Sequence, residues 1–533
     1  MIRFENVSFS YDSGGAESGV SEIDFEVAAG ECVLFCGASG SGKTTIAKLA
    51  NGLAPDFIPG QMSGRILVDG RDLAELESWE RARLIGSVFQ NPRTQFFNTD
   101  VAGEVAFAME CLAWPGQRLR SRTSEVMSAL ELASLADRSI FSLSGGERQR
   151  VAFASAYAAM PGNYVLDEPT SNLDARATDH LAEYVRLAKA EGASTLVAEH
   201  RLYWLSDCVD TVVWLRDGRI GQVFTRDEFW ALDAGERAAM GLRCTDLDEV
   251  AWSTEDRYRP LLPVERSLLG SGGQSHEDDA ASASGYYLEA ESLTASYRGN
   301  DVLTGIDFAA RSGEVIAVTG LNGAGKTTLT RLISGLHKNG GGTLRWGDQP
   351  LTRKNRLKVS AMVFQDVNYQ LFADSVLAEV TFGLDQSEPD LAIRLLADLG
   401  LADLAERHPA TLSGGQKQRL AVTSCIAAGK QILTFDEPTS GLDLTGMDQV
   451  ATLVKKVAAA GNLVFVVTHD LEFIARACTR VLHIADGRLQ LDATPHELPI
   501  GHLAALLGGQ STSSPQLLQA RAADPDSCSP ATP

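Results

Sequence analysis

Two stretches of this sequence carry the residue types needed to hold a polyphosphate. The first reads GASGSGKT and supplies Gly37, Ser39, Gly40, Gly42, Lys43 and Thr44, with Thr45 next in line. The second reads GLNGAGKT and supplies Gly320, Asn322, Gly323, Gly325, Lys326 and Thr327, followed by Thr328. Glycines at this spacing let consecutive backbone N–H groups curl around phosphate oxygens. The lysine then reaches the terminal phosphates, and the hydroxyl of Thr44 or Thr327 binds Mg²⁺. Further along each half an acidic pair closes an apolar run: NYVL leads into Asp167 and Glu168, and ILTF into Asp436 and Glu437. Adjacent strand residues face opposite ways. Each Asp can therefore hold Mg²⁺, directly or through water, while the Glu addresses an attacking water as general base. A third pair of motifs, LSGGE (Ser144, Gly145, Gly146) and LSGGQ (Ser413, Gly414, Gly415), precedes a helical run. The Ser and the Glu or Gln three residues on form a capping box, and the two glycines leave bare N–H groups able to hold an anion. Each half already has its own phosphate cradle, so the spare anion site points to a nucleotide held by a partner surface.

These residues need elements to position them. The apolar strands CVLFC and VIAVT run into the two glycine loops and helical patterns follow, which is the context such a loop requires. The acidic pairs sit where buried strands end, beside the phosphate loop of an α/β sheet. The halves repeat one another: FENVSFSY at 4–11 and LEAESLTASY at 288–297 both open with a strand pattern. Ser144 to Glu168 and Ser413 to Glu437 each span 24 positions, and Glu168 to His200 and Glu437 to His469 each span 32. Lys43 to Gln90 spans 47 positions whereas Lys326 to Gln365 spans 39, which puts length variation in surface turns before the glutamine.

The bulk numbers agree with a duplication. A chain of 533 residues exceeds one hydrophobic core and suits two domains plus connectors, and 44% hydrophobic residues supply enough apolar material to pack them. The net charge of -22, from 47 Lys+Arg against 69 Asp+Glu, opposes nonspecific attraction to nucleic acid, and no nucleic-acid partner is expected. No apolar run approaches the roughly 18 residues that cross a bilayer, and MIRFE begins a strand pattern instead of a signal peptide, so a cytoplasmic location is expected. Eight cysteines without paired CxxC spacings suggest neither a disulfide framework nor a zinc site. Cys32 and Cys36 flank Leu34 on one face of a buried strand, which favours core packing over metal binding. Residues 267–285 (SLLGSGGQSHEDDAASASG) have a linker's composition, and the Ser-, Ala-, Pro- and Gln-rich end reads as disordered. The expected division is a first domain at 1–240, a linker at 241–285 that is flexible at its end, a second domain at 286–500 and a tail at 501–533.

Taken together, the motifs resemble those of the ATP-binding cassette (ABC) family over nearly the whole chain apart from linker and tail. LSGGE and LSGGQ are similar to that family's signature. The resemblance implies an α/β fold of two tandem P-loop NTPase ABC cassettes. Each is expected to have a parallel-sheet core, an antiparallel β subdomain at its start and a helical subdomain before the signature. It implies ATP and Mg²⁺ as ligands and a head-to-tail pairing of the cassettes. Ser144, Gly145 and Gly146 would then close on nucleotide held by the second P-loop, and Ser413, Gly414 and Gly415 on nucleotide held by the first. Tyr11 and Tyr297 resemble the aromatic that stacks on adenine, with a plain strand-end tyrosine as the alternative. Gln90 and Gln365 match the switch glutamine that contacts Mg²⁺ and water and senses a membrane partner. Asp174 (SNLD) and Asp443 (SGLD) match the loop coupling the two sites. His200 and His469, ending TLVAEH and VFVVTH, match the histidine that touches the γ-phosphate, although a lone histidine there is more often a packed one.

The motifs fix ATPase chemistry but not the work it drives. FQNPRTQFF and FQDVNYQLF, followed by VAGEVAF and VLAEVTF, resemble the energy-coupling factor (ECF) group of vitamin and metal-ion importers. Asp366-Val367 in place of Asn-Pro departs from that pattern. The resemblance implies an ATPase peripheral on the inner face of the cell membrane. Its partners would be a transmembrane coupling subunit and a separate membrane substrate-binding subunit, which chooses a vitamin or transition-metal ion. One rival is a soluble tandem-cassette ATPase acting on ribosomes; that group usually shows NHLD and a basic helical linker, where this chain has SNLD, SGLD and an acidic Gly/Ser-rich one. Another is the tandem ATPase of a sugar or peptide importer. Phe96, Phe97, Leu371 and Phe372 lie in otherwise polar loops, and either dock on the membrane partner or fill the core.

Overall fold

A computed structural model describes residues 1–12, 19–171, 173–250, 252, 287–297, 299–382, 389–494, 497–498 and 500–507. The expected linker stretch at 267–285 and the chain after 507 lie outside the described residues.

Each half opens with a four-stranded antiparallel sheet. In the first half its order is Gly19–Val27, Ile2–Tyr11, Gly60–Val68, Arg71–Asp72, and in the second Asn300–Arg311, Tyr287–Tyr297, Gly340–Trp346, Gln349–Pro350. Strict alternation would bury only one parity of the opening strand, yet Ile2, Phe4, Val7 and Phe9 are all buried. A register shift between Phe4 and Val7, with Asn6 at φ 49, resets the parity, as an extra residue in a bulged strand does. The second half repeats the device between Ala290 and Leu293, with Ser292 at φ 47.

Behind this sheet lies a six-stranded one, five strands parallel and one edge antiparallel. From edge to edge it runs Arg219–Thr225, Thr211–Arg216, Cys32–Cys36, Ser194–Ala198, Asn163–Asp167, Ile85–Val88. Its counterpart runs Arg488–Ala493, Arg480–Ala485, Val315–Thr319, Leu463–Val467, Ile432–Asp436, Ser360–Val363. CVLFC and VIAVT are buried at every position, as strands covered on both faces must be. Cys32 and Cys36 thus belong to the core, and burial pushes the Cys36 thiol up to about 12. Between the glutamine and the signature stand helices Val101–Cys111 and Gly116–Ala129 in the first half, and Val376–Thr381 and Pro389–Asp398 in the second. Two α/β cassettes of the expected layout are therefore present.

The packed chain reaches past two expected boundaries. Helix Ile500–Leu506 lies beyond position 500, and Leu503 and Leu507, four apart, are buried in the second core. Beyond 240, Leu247 and Trp252 pack against that same core, and the Trp252 indole donates to the Leu498 carbonyl at 3.0 Å. The segment assigned to the linker therefore begins as structure seated on the second half. Among the described residues no helix is long and apolar enough to cross a membrane.

Candidate nucleotide sites between the halves

The two glycine loops have nearly the same backbone. Gly37, Gly40 and Gly42 take φ values of 146, 83 and 106, and Gly320, Gly323 and Gly325 take 141, 88 and 107, a region glycine enters without penalty. Space is equally restrictive: a Cβ on Gly37 would lie 2.4 Å from the Leu215 carbonyl oxygen, and one on Gly325 2.6 Å from Leu303 Cδ2. The Lys43 ammonium donates to the carbonyls of Gly37 (3.0 Å) and Ala38 (2.9 Å), and Lys326 to those of Gly320 (2.7 Å) and Leu321 (2.9 Å). Helices Lys43–Ala50 and Lys326–Ile333 start at the lysines and aim their N-termini at the loop.

Thr44 Oγ1 donates to Asp167 Oδ1 at 3.0 Å, and Thr327 Oγ1 to Asp436 Oδ2 at 2.9 Å. Burial raises both carboxyls, Asp167 to about 6. A hydroxyl beside a buried carboxylate suits Mg²⁺, which takes one or two protein oxygens and fills its octahedron with water and phosphate. Thr45 is buried and its hydroxyl meets Tyr11 Oη at 2.9 Å; Thr328 is buried likewise. The Tyr11 ring stands edge-on to Phe9 with centroids 5.0 Å apart, whereas Tyr297 is exposed and lies against His337 at 4.6 Å.

The acidic pairs bring a correction. The strands end at Asp167 and Asp436, and the next residues, Glu168 at φ 43 and Glu437 at φ 53, are left-handed. Strand alternation does not aim these glutamates; a strained single residue does, of the kind that clusters at functional sites. Their N–H groups donate at 2.8 Å to the carbonyls of Ala198 and Val467 on the neighbouring strands. Gln90 Nε2 donates to Glu168 Oε2 at 2.7 Å, and the Nε2 atoms of His200 and His469 each stand 3.7 Å from Oε1 of Glu168 and Glu437.

Burial, reinforced by Asp167, raises Glu168 to about 8. Burial also raises Glu437, to about 7, against the opposing charges of Arg201 and Lys326. Both histidines are held well below their ordinary value by burial and then by Lys43 or Lys326, so each imidazole is neutral. The His469 ring nitrogens are buried without a hydrogen-bond partner among the described residues, a deficit that a phosphate oxygen would remedy.

The halves meet across these loops. Ser39 N–H donates to Asp443 Oδ2 at 2.7 Å and Asn322 N–H to Asp174 Oδ2 at 3.0 Å. The other oxygen of each aspartate caps its own helix, accepting from Gly446 N–H (2.8 Å) or Ala177 N–H (2.9 Å). Ser440 Oγ donates to the Ser171 carbonyl at 2.6 Å, and a Cβ on Gly441 would lie 2.9 Å from Gln90 Nε2. Gly146 faces the second P-loop closely, since a Cβ there would sit 3.6 Å from Asn322 Nδ2. The capping boxes of both signature helices are formed, Ser144 with Glu147 and Ser413 with Gln416. Gln365 joins Gln90, Gly145, Gly414 and Ser440 around a cavity of about 180 Å³ between the halves.

Sequence reading passed over the residues that brace the glutamine loops. Gln95 accepts from Phe89 N–H (3.2 Å) and donates to the Ser87 carbonyl (2.9 Å), and Gln370 does the same with Phe364 and Met362 at 3.0 Å each. The buried Glu104 accepts from Phe97 N–H (3.0 Å) and Asn98 N–H (2.8 Å), and Glu379 from Phe372 and Ala373 at 2.8 Å each. Their signal was present, since both glutamines and both glutamates recur at matching places in the two quoted segments. Phe96 and Leu371 pack at the edges of the cores, while Phe97 and Phe372 are 74% and 81% exposed.

Comparison with known proteins adds to this geometry. The family model described as ABC transporter matches residues 20–171 and 303–440. A Treponema denticola protein, provisionally named an ABC transporter ATP-binding protein, is 42% identical over 490 residues, covering 92% of this chain and 96% of its own. A Bacillus subtilis protein, provisionally named HMP/thiamine import ATP-binding protein YkoD, is 32% identical over 511 residues, covering 93% and 92%. The archaeal ribosome recycling factor aABCE1, solved with the ribosomal stalk protein aP1, has a TM-score of 0.60 at 23% identity over 94% of this chain and 92% of that one, a likeness of fold. With two family-model segments, full-length relatives and a phosphate loop in each half, the chain belongs to the ABC transporter family as a fused pair of ATP-binding cassettes.

Proposed function

We propose that this chain is the energising ATPase of a membrane importer of the ECF type, splitting ATP to ADP and phosphate at two composite sites between its halves. In the first site Lys43 and the loop N–H groups hold the phosphates, and Ser413, Gly414 and Gly415 close from the other half. In the second, Lys326 and its loop are closed by Ser144, Gly145 and Gly146. Glu168 and Glu437 accept the proton of the attacking water, Gln90 and Gln365 orient it, and neutral His200 and His469 bind the γ-phosphate. Thr44, Asp167 and Gln90 in the first site, and Thr327, Asp436 and Gln365 in the second, would hold Mg²⁺, which would supply neutralisation of phosphate charge. Tyr11 and Tyr297 are assigned to the adenine.

The observation that carries the importer reading is the exposure of Phe97 and Phe372 on turns pinned by Glu104 and Glu379. A large apolar side chain fixed in water at equivalent places of both halves supports a docking surface for a transmembrane coupling subunit on the inner face of the cell membrane. Phe107 stacks on Phe97 at 4.9 Å, and Phe382, which holds the place of Phe107 in the second quoted segment, is exposed. The name of the Bacillus subtilis relative, HMP/thiamine import, favours a vitamin as cargo; on this reading a separate membrane subunit binds it. The ribosomal reading shares the tandem fold but gives these aromatics no task. The test is Phe97→Ser with Phe372→Ser: copurification with membrane subunits should weaken while the isolated ATPase stays nearly intact. Failure to fold would favour a core role for the rings, and undiminished copurification would refute docking through them.

A further inference from the structure

The loops around the two histidines achieve one bond in two ways. In the first half Glu199, before His200, accepts from Thr170 Oγ1 (2.6 Å) and from the N–H groups of Thr170 (3.3 Å), His200 (2.7 Å) and Arg201 (3.2 Å). In the second half Thr468 stands in that place, and the carboxylate comes from Asp470, after His469. Asp470 Oδ2 accepts from Thr439 Oγ1 at 2.8 Å, and the Asp470 N–H donates to Thr468 Oγ1 at 3.0 Å. Thr170 and Thr439 are equivalent, each two residues beyond the glutamate assigned as base. EHR has become THD with the threonine bond kept and the carboxylate moved across the histidine.

That exchange puts Asp470 in the interior beside a second buried carboxylate, Glu472. The cation that answers them comes from the segment leaving the first cassette. Arg243, 3% exposed, bonds Asp470 through Nη2 and Glu472 through Nε at 2.7 Å, and the Cys244 N–H donates to the other Glu472 oxygen at 2.9 Å. Among the other cations, Arg476 is 3.9 Å from Glu472 and half-exposed, and Arg201 adds its charge to Arg243's in lowering Asp470 while its hydrogen bonds go to the carbonyls of Thr170 and Leu173. In the first half Arg201 and Tyr203 stand where the second half has Asp470 and Glu472; the Arg243 charge also helps to lower His200, after burial and Lys43, but its hydrogen bonds go to Asp470 and Glu472.

We propose that Arg243 is a positioning residue for the second ATP site, clamping Asp470 and Glu472 so that the His469 loop and, through Thr439, the loop carrying Glu437 hold their geometry. The second site is thus completed by the segment that leaves the first cassette. The inference rests on the assignment of His469 and Glu437 to that site.

The experiment uses the full chain and single-turnover cleavage of Mg-ATP, which separates chemistry from binding and release. Glu168→Gln silences the first site so that cleavage reports the second, and Glu437→Gln does the reverse. Arg243→Met should slow cleavage about tenfold to a hundredfold in the E168Q background, the range that small misplacements of reacting groups produce. In the E437Q background it should change the rate by less than about threefold, with ATP affinity changed by a similarly small factor in both. Arg243→Lys should restore part of the loss, because an ammonium supplies the charge without the two-pronged fork. Equal slowing in both backgrounds, or none in either, would overturn the positioning role. If Arg243→Met does not fold, Arg243→Lys decides alone: a loss confined to the second site supports the role, and wild-type cleavage there overturns it. Should E168Q and E437Q both cleave at the wild-type rate in every background, the site assignment falls and the inference with it.

Discussion

Asp443 does two jobs with one carboxylate, and replacing it by asparagine separates them. Its Oδ1 caps the helix Leu444–Ala459 through the Gly446 N–H, and its Oδ2 accepts from Ser39 N–H of the other half. An amide has one oxygen, so Asp443→Asn can serve one of these N–H groups and presents a second donor to the other. While the halves are apart the oxygen stays on the cap, and closure then sets NH₂ against the Ser39 N–H. A hydrogen bond to a charged group contributes about 1.5–3 kcal/mol. At about 1.4 kcal/mol per decade, this should shift ATP-driven closure roughly tenfold to a hundredfold. Asp443→Ala also removes the cap, at about 1 kcal/mol of fold stability. The assay is energy transfer between dyes on the two halves during an ATP titration, with Glu168→Gln and Glu437→Gln present to stop turnover. Because one closure takes up two ATP molecules, D443N should raise the half-closing ATP concentration by the square root of that factor, about threefold to tenfold, and melt with the parent, while D443A melts lower. An unchanged midpoint in D443N, or a melting loss equal to that of D443A, would refute the reasoning, and D174N tests the mirror contact with Asn322.

Glu168→Gln and Glu437→Gln should each slow chemistry at their own site by about 10²–10⁴-fold. Because both sites form in one closure, each single variant should fall well below half the parental steady-state phosphate release; a full rate in either would make that site a binding site only. The same glutamates give a pH signature. Burial raises Glu168 from its ordinary 4.5 to about 8, so between those values the folded, nucleotide-free chain retains a proton that the unfolded chain has released. Unfolding then releases protons, and this contribution is complete below about 4.5 and lost as pH rises through about 8. The parent and the double Gln variant should melt together near the acid end of that window and separate above it, with the parent lower. Melting curves that stay together, or a parent that gains stability at the alkaline end, would show that burial is not what raises these carboxyls.

The phosphate loops, the acidic pairs, the capping boxes and the order of elements were legible because each is fixed by neighbours in sequence. Glycines at φ near 106 and a serine three residues before Glu147 or Gln416 carry their reason with them. What was not legible depends on chain far away. The aim of Glu168 comes from a left-handed residue bonded to Ala198, and no pattern around DEPT encodes that φ. Leu503 and Leu507 sit in a short run whose composition resembles the tail, and only the second core makes their spacing meaningful. Arg243 reads locally as a surface arginine, while its partners Asp470 and Glu472 are more than two hundred positions away. Phe96 and Phe97 are adjacent and chemically alike, and only in the folded turn, held by Glu104, is one packed and the other displayed.

The two halves are more alike in bonds than in letters, and this bears on the feature that set the second half apart from the importer pattern. Asp366-Val367 replaces Asn91-Pro92. The turn at that point needs an acceptor for the N–H two residues on: Asn91 Oδ1 takes it from Arg93 at 3.1 Å, and Asp366 Oδ1 takes it from Asn368 at 3.2 Å. It also needs an apolar residue inside, and Pro92 and Val367 are both buried. Neither requirement calls for an amide or a proline ring, so the substitution leaves the loop, the bracing glutamine and the displayed phenylalanine in their places. On the proposed docking reading, a partner therefore meets one pinned aromatic from each half, and the departure in sequence at Asp366 weighs little against a surface that both halves build with the same bonds.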